Sequence, residues 1–255
     1  MTDLEHELRN RIASGGHAFV PYVTGGLLGV DAGLLQELAG AGADAIEVGI
    51  PFSDPVMDGP VVQEASKRAL DAGATPERVM AVVADASVGA PVVLMTYLNP
   101  VLAAGFDRFL GMAREAGVAG VIVPDLPVDE ADEWASACEG AGVASVLLAA
   151  PGTSTERLQR IATTSRGFVY CVSTYGVTGG RQALAGTAKE LVEALRPFTR
   201  TPLLVGVGIG TPDAARAACV FADGIVVGSA LVRPLLDGDR RAALTLAKEF
   251  RAAIT

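Results

Sequence analysis

An apolar run at residues 44–50, Asp-Ala-Ile-Glu-Val-Gly-Ile, carries one residue out of character: Glu47, flanked by Ala45, Ile46, Val48 and Ile50. A carboxylate among aliphatic neighbours loses hydration and responds by raising its pKa, so it calls for a task or a partner. Two more carboxylates follow, Asp54 and Asp58, on a segment where Pro51, Pro55 and Pro60 each fix φ. Three acids on one stiffened stretch after an apolar strand suggest acid/base chemistry. The competing reading is structural, with Glu47 paired to a neighbouring cation and the aspartates stabilising turns before Pro55 and Gly59.

Other chemistries find less support. His6 and His17 both precede the first strong strand, which leaves neither a histidine metal cluster nor a Ser/His system, and no metal site is expected. Cys138, Cys171 and Cys219 are odd in number and widely separated, the pattern of reduced core thiols. A net charge of −9 without a basic run argues against nucleic acid or an anionic membrane as the main partner, although one phosphate remains compatible. The polar, acidic N-terminus lacks signal-peptide character and no apolar run reaches membrane-spanning length, so a cytoplasmic protein is expected.

The elements that position the acids follow from hydrophobic patterning. Eight β-rich runs recur, at 18–23, 44–50, 91–97, 120–124, 144–150, 167–173, 202–208 and 223–229. Their near-continuous apolar character suits parallel strands covered on both faces, and segments such as 31–41, 130–141, 154–164 and 187–196 fit crossover helices. The connection 61–90 has room for two helices divided at Thr75 and Pro76, as N-cap and N1, and a helix over 2–14 precedes the first strand. With 255 residues, half of them hydrophobic, and no linker, the expected architecture is α/β: one (βα)8 TIM-barrel domain over 1–255, with an N-terminal helix covering the bottom and extra helices in the connections. An open doubly wound sheet is the alternative.

Closure would gather Glu47, Tyr97, Asp125, Tyr170 and the segments after 173, 206 and 227 at one mouth. Gly208 and the Gly228–Ser229 turn fall after the last two strands, where barrels commonly bind phosphate. A short helix starting near Ser229 would add free N–H groups and a hydroxyl. Residues 174–186 form a glycine-rich stretch long enough to close over a ligand, with Thr178 and Arg181 as candidate contacts.

The segment EVGIPFSDPVMDGP (47–60), TYLNP (96–100), PDLP (124–127), YGVTG (175–179), GVGI and VGSALV together resemble the tryptophan synthase alpha subunit family, in order along essentially the whole chain. The resemblance implies a lyase that cleaves indole-3-glycerol phosphate to indole and glyceraldehyde 3-phosphate. It also implies a beta-subunit partner, as an alpha2-beta2 heterotetramer, and no cofactor in this chain, pyridoxal phosphate being expected only in that partner. By resemblance, Glu47 is the acid/base and Asp58 the acceptor of the indole N–H. Tyr22, Tyr97, Tyr170 and Thr178 contact substrate, Gly179, Gly208, Gly228 and Ser229 bind phosphate, and Asp54 faces the partner. The chain departs from the family pattern at Leu27 and Leu28, at Thr174, and at Ala103 and Ala104. A stand-alone indole-releasing lyase, a non-catalytic phosphate-binding allosteric subunit and a sugar-phosphate isomerase are the competing functions. The last leaves the carboxylate loop unexplained.

Overall fold

The computed structural model describes residues 3–172, 181–206 and 208–255, with the backbone alone at 181–185. In chain order its elements are α1 (Asp3–Ala13), β1 (Ala18–Thr24), α2 (Ala32–Gly40), β2 (Ile46–Gly49), α3 (Pro60–Asp71), α4 (Pro76–Ala86), β3 (Val92–Met95), α5 (Leu98–Ala104), α6 (Phe106–Glu115) and β4 (Val118–Ile122). They continue with α7 (Asp132–Ala141), β5 (Ala144–Ala149), α8 (Thr155–Thr164), β6 (Val169–Val172), α9 (Arg181–Leu195), β7 (Leu203–Gly206), α10 (Pro212–Ala218), β8 (Gly224–Val227), α11 (Ser229–Leu236) and α12 (Arg240–Ala253). All eight strands are parallel, each pairs with the next, and β8 returns to β1, so the sheet closes. The eight strands expected from the apolar runs are the eight observed, and the open sheet is excluded.

Closure follows from what each strand presents on its two faces. Ala18 and Val20, Ala45, Val93, Ile122, Ala144 and Val146, Phe168, Leu204 and Val226 pack together with Leu4 and Leu8 of α1 as a core inside the barrel. The alternate residues, such as Phe19, Ile46, Leu94, Val121, Leu203 and Ile225, pack outward against the helices in a second, larger core. Leu4 lies beside Gly120 and Gly167, where an added Cβ would sit 3.0 and 2.6 Å from its Cδ2. The N-terminal helix therefore plugs the barrel bottom, as expected. At the same end the Asp44 carboxylate accepts from Phe19 N and from Arg251 Nη1, both at 2.8 Å, clasping β1 and the C-terminal helix together. His17 lies 3.3 Å from the Ile254 carbonyl, a structural contact.

Local signals place most helix boundaries. Thr75 caps α4 by accepting from Arg78 N, with Pro76 at the first position, so the connection after β2 does split there. One boundary differs. Residues 181–186, assigned from sequence to the loop, form the first turns of α9; the run Arg181-Gln-Ala-Leu-Ala has high helix propensity and overrides the glycines before it. The closing loop itself, with Thr174, Thr178 and Gly179, lies outside the described residues. Of the departures, Leu27 is buried and Leu28 is exposed. The three cysteines are free and buried, and burial pushes each thiol up to about 12.

Candidate active site

Continuing the inward-facing period of two beyond the barrel core gives the site. After Ala18 and Val20 comes Tyr22; after Ala45 come Glu47 and Gly49; after Val93, Met95; after Phe168, Tyr170; after Val226, Gly228. Tyr22, Glu47, Met95, Tyr170, Val226 and Gly228 all line a cavity of about 310 Å³ at the C-terminal end of the barrel. Loop residues complete it: Met57, Asp58 and Gly59 before α3 and Val62 within it, Gly208, Ile209 and Gly210 after β7, and Ser229 and Ala230 opening α11. Its size suits a small ligand, with an apolar lining and few polar groups.

The register fixes how the aromatic walls lie. Tyr22 and Glu47 are direct neighbours across β1 and β2, and the Tyr22 ring leans over Gly49, where any Cβ would overlap its hydroxyl. Tyr170 on β6 leans in the same manner over Gly206 on β7. Both phenols are held neutral, their pKa values raised first by burial and then by the nearby carboxylates. The Tyr22 hydroxyl meets Thr24 Oγ1 at 3.4 Å, a long contact that holds it loosely.

The two carboxylates of the cavity differ in environment. Glu47 is 1 % exposed, and its Oε2 finds no hydrogen-bond partner among the described residues. Burial, with the Asp58 charge adding to it, pushes Glu47 up to about 8, so the unliganded side chain is a neutral acid at pH 7. Asp58 is half-buried; burial raises it to about 6 while a hydrogen bond from the Tyr97 hydroxyl pulls the other way, leaving it ionised at pH 7. Two acids whose surroundings hold them in opposite protonation states are suited to separate tasks.

The other expected site residues divide accordingly. Tyr97 is not among the residues lining the cavity. Its hydroxyl accepts from Met57 N at 2.9 Å, donates to Asp58, and its ring stacks on Phe52 at 5.2 Å between centroids, so it holds the Asp58 loop from behind. Asp125 accepts from Leu98 N at 2.9 Å, securing the start of α5. Asp54 is exposed, takes a 2.6 Å hydrogen bond from Ser53 Oγ, and stays outside the cavity beside exposed Val56 and Met57.

The opposite end of the cavity is built from backbone. Gly208 has φ +85°, a conformation that disfavours any side chain, and Gly228 enters α11 without a side-chain cap. The first amides of α11, at Ser229 and Ala230, are left to a ligand, with the helix dipole and the Ser229 hydroxyl beside them. Gly208, Gly228 and Ser229 thus meet as expected, whereas Thr178 and Gly179 lie outside the described residues. Met95, Val226 and Val62 were not singled out from sequence, although the alternation of β3 and β8 marks the first two. Among the described residues no group of three His, Cys, Asp or Glu side chains could hold a metal ion, and no helix is long and apolar enough to cross a membrane.

Comparison with known proteins converges on one family. The family model described as tryptophan synthase alpha chain matches residues 8–253. The tryptophan synthase alpha chain of Thermobifida fusca is 41 % identical over 261 residues, covering 100 % of this chain and 97 % of the relative. That of Carboxydothermus hydrogenoformans is 45 % identical over 222 residues, covering 86 % and 83 %. Among solved structures, a Mycobacterium tuberculosis tryptophan synthase chain superposes with a TM-score of 0.91 at 37 % identity, covering 99 % of this chain and 98 % of the other. The alpha subunit from Legionella pneumophila gives 0.90 at 33 %, covering 100 % and 98 %. The chain belongs to the tryptophan synthase alpha-chain family.

Proposed function

We propose that Glu47 moves the protons, and Asp58 holds the indole nitrogen, as this chain cleaves indole-3-glycerol phosphate to indole and glyceraldehyde 3-phosphate, a carbon–carbon lyase of tryptophan synthesis. The observation that carries the reading is one cavity with two carboxylates, Glu47 buried and Asp58 half-buried, at one end and the open start of α11 at the other. The phosphate takes the amides of Gly228, Ser229 and Ala230, with Gly208 leaving room for its approach; by family resemblance Gly179 joins them, and Thr178 contacts the substrate. The indole ring lies between the Tyr22 and Tyr170 walls.

Glu47 begins as the acid and gives its proton to the indole carbon that bears the glycerol chain. Asp58, ionised, accepts the indole N–H and balances the positive charge that appears on the ring. The Glu47 carboxylate then takes the proton of the hydroxyl on the adjacent glycerol carbon. As it does so, the carbon–carbon bond breaks, its electrons return to the ring, and an aldehyde is left on the glycerol fragment. Glu47 ends protonated, as it began, and no water is consumed.

Indole is an apolar product, and passing it to a beta subunit requires a docking face. Asp54, with exposed Val56 and Met57 on the same loop, supports that face; the alpha2-beta2 assembly, with pyridoxal phosphate confined to the beta partner, rests on the family resemblance. The test is indole release from indole-3-glycerol phosphate by the purified chain, alone and with a beta subunit, beside Glu47→Gln and Asp58→Asn. Absence of release by folded wild type under both conditions defeats the lyase reading. Release unchanged in Glu47→Gln defeats the assignment of the acid.

A further inference from the structure

Asp58 closes a tight turn, its N–H donating to the Pro55 carbonyl at 3.0 Å, and it is held from behind by Tyr97. That leaves the carbonyl side of the turn, which faces the start of α3. There Gln63, an exposed residue one turn into the helix, donates from Nε2 to the Asp58 carbonyl at 2.9 Å and lies 3.4 Å from the Pro55 carbonyl. One amide therefore spans both ends of the turn whose last residue carries the carboxylate. The helix that bears it is itself fixed, with Val62, Ala65, Ser66 and Ala69 buried against the barrel.

We propose that Gln63 is a positioning residue for the Asp58 carboxylate, acting through the backbone of the Pro55–Asp58 turn. The chemistry favours an amide of this length. Its N–H groups donate to carbonyls, whereas the shape-matched carboxylate of glutamate would set an acceptor against two acceptors, and methionine would keep the bulk without a donor. The Gln63 contacts are exposed, so water competes for both carbonyls, and their loss is felt as looseness of the turn rather than as unfolding. Tyr97 orients the carboxylate and Gln63 orients the peptide beneath it. The inference rests on the assignment of Asp58 to the indole end of the substrate.

The test is a double-mutant cycle in the indole-release assay, with glycerol 3-phosphate as a competitive inhibitor that reports the phosphate end alone. Gln63→Met is expected to lower kcat/KM about three- to tenfold, and Gln63→Glu to lower it further. The inhibition constant for glycerol 3-phosphate should stay within about twofold, the scatter of a neutral change. In an Asp58→Asn background the same Gln63→Met change should have no further effect. Lys67→Ala on the same helix, where the exposed lysine pairs with Asp71, is the control and should match wild type. An equal loss in the Asp58→Asn background, or a parallel weakening of glycerol 3-phosphate, shows a general structural effect and overturns the inference. So does wild-type activity in Gln63→Met. Full activity of Asp58→Asn itself removes the assignment of Asp58 and the inference with it, a result distinguishable from failure of Gln63 alone.

Discussion

Glu47→Gln is expected to lower turnover steeply and at the same time to make the fold more resistant to unfolding at alkaline pH. The sign follows from linkage. The folded-state pKa of Glu47 is about 8 and that of an exposed glutamate near 4.5, so between these values the folded chain holds a proton that the unfolded chain has released. The stabilisation is complete below pH 4.5 and is lost as pH rises through 8. The interval, at about 1.4 kcal/mol per pH unit, sets a ceiling of roughly 5 kcal/mol on the loss. Glutamine has the same shape and does not titrate. Its buried amide finds no ready partner among the described residues and costs about 1–3 kcal/mol, but that cost is the same at every pH. All other titrating groups are common to both proteins and largely cancel in the difference. The measurement is urea unfolding of wild type and variant at intervals from pH 5 to 9. The variant should gain on wild type with each step up to pH 8 and hold its gain above it, while indole release falls about 10²- to 10⁴-fold. Stability curves that run parallel across this range would refute the reasoning, because they would mean that Glu47 is already ionised in the folded protein.

The same protonation states predict a bell-shaped dependence of kcat/KM on pH, with limbs near 6 for Asp58 and near 8 for Glu47. The upper limb is diagnostic, since a substrate phosphate also titrates near pH 6, and activity that keeps rising through pH 8 would mean that Glu47 starts as a base. Gly49→Ala would drive a methyl group into the Tyr22 ring and is expected to cost about 1–3 kcal/mol in denaturant unfolding and to impair substrate binding. Adding Tyr22→Ala should recover part of that stability. Leu4→Ala, at the opposite end of the barrel, is expected to cost about 2–5 kcal/mol by the same measurement while leaving kcat/KM of the folded protein unchanged.

The barrel was legible because each strand needs apolar residues on both faces and each connection needs a helix, constraints written into every repeat. Glu47 was legible for the converse reason, as a charge where the pattern requires an aliphatic residue. Tyr97 shows where that logic stops. It shares the parity of Val93 and Met95 and so is expected to point inward, but β3 ends at Met95 and the chain turns at Tyr97 into α5. Once the strand ends, alternation no longer sets side-chain direction, and the phenol reaches the Asp58 loop instead. Gln63 left no trace in the sequence, because an exposed polar residue on a helix is the commonest of patterns and its acceptors are backbone carbonyls that any residue supplies.

Nor do residue types distinguish the two acids, which lie eleven positions apart on one segment. Their surroundings do. Asp58 is tied by a hydroxyl from the end of β3 and, through its peptide, by an amide from α3. Those ties favour one charge state in one place, which suits a carboxylate that must meet a developing cation at a fixed nitrogen. Glu47 has the reverse arrangement: a strand backbone holds its position, and nothing among the described residues holds its Oε2. A group that must be acid in one half-reaction and base in the next would pay for a fixed donor in its first state and for a fixed acceptor in its second. Burial, with the Asp58 charge adding to it, instead brings Glu47 to about 8, within reach of both states, as the proposed acid and base roles require.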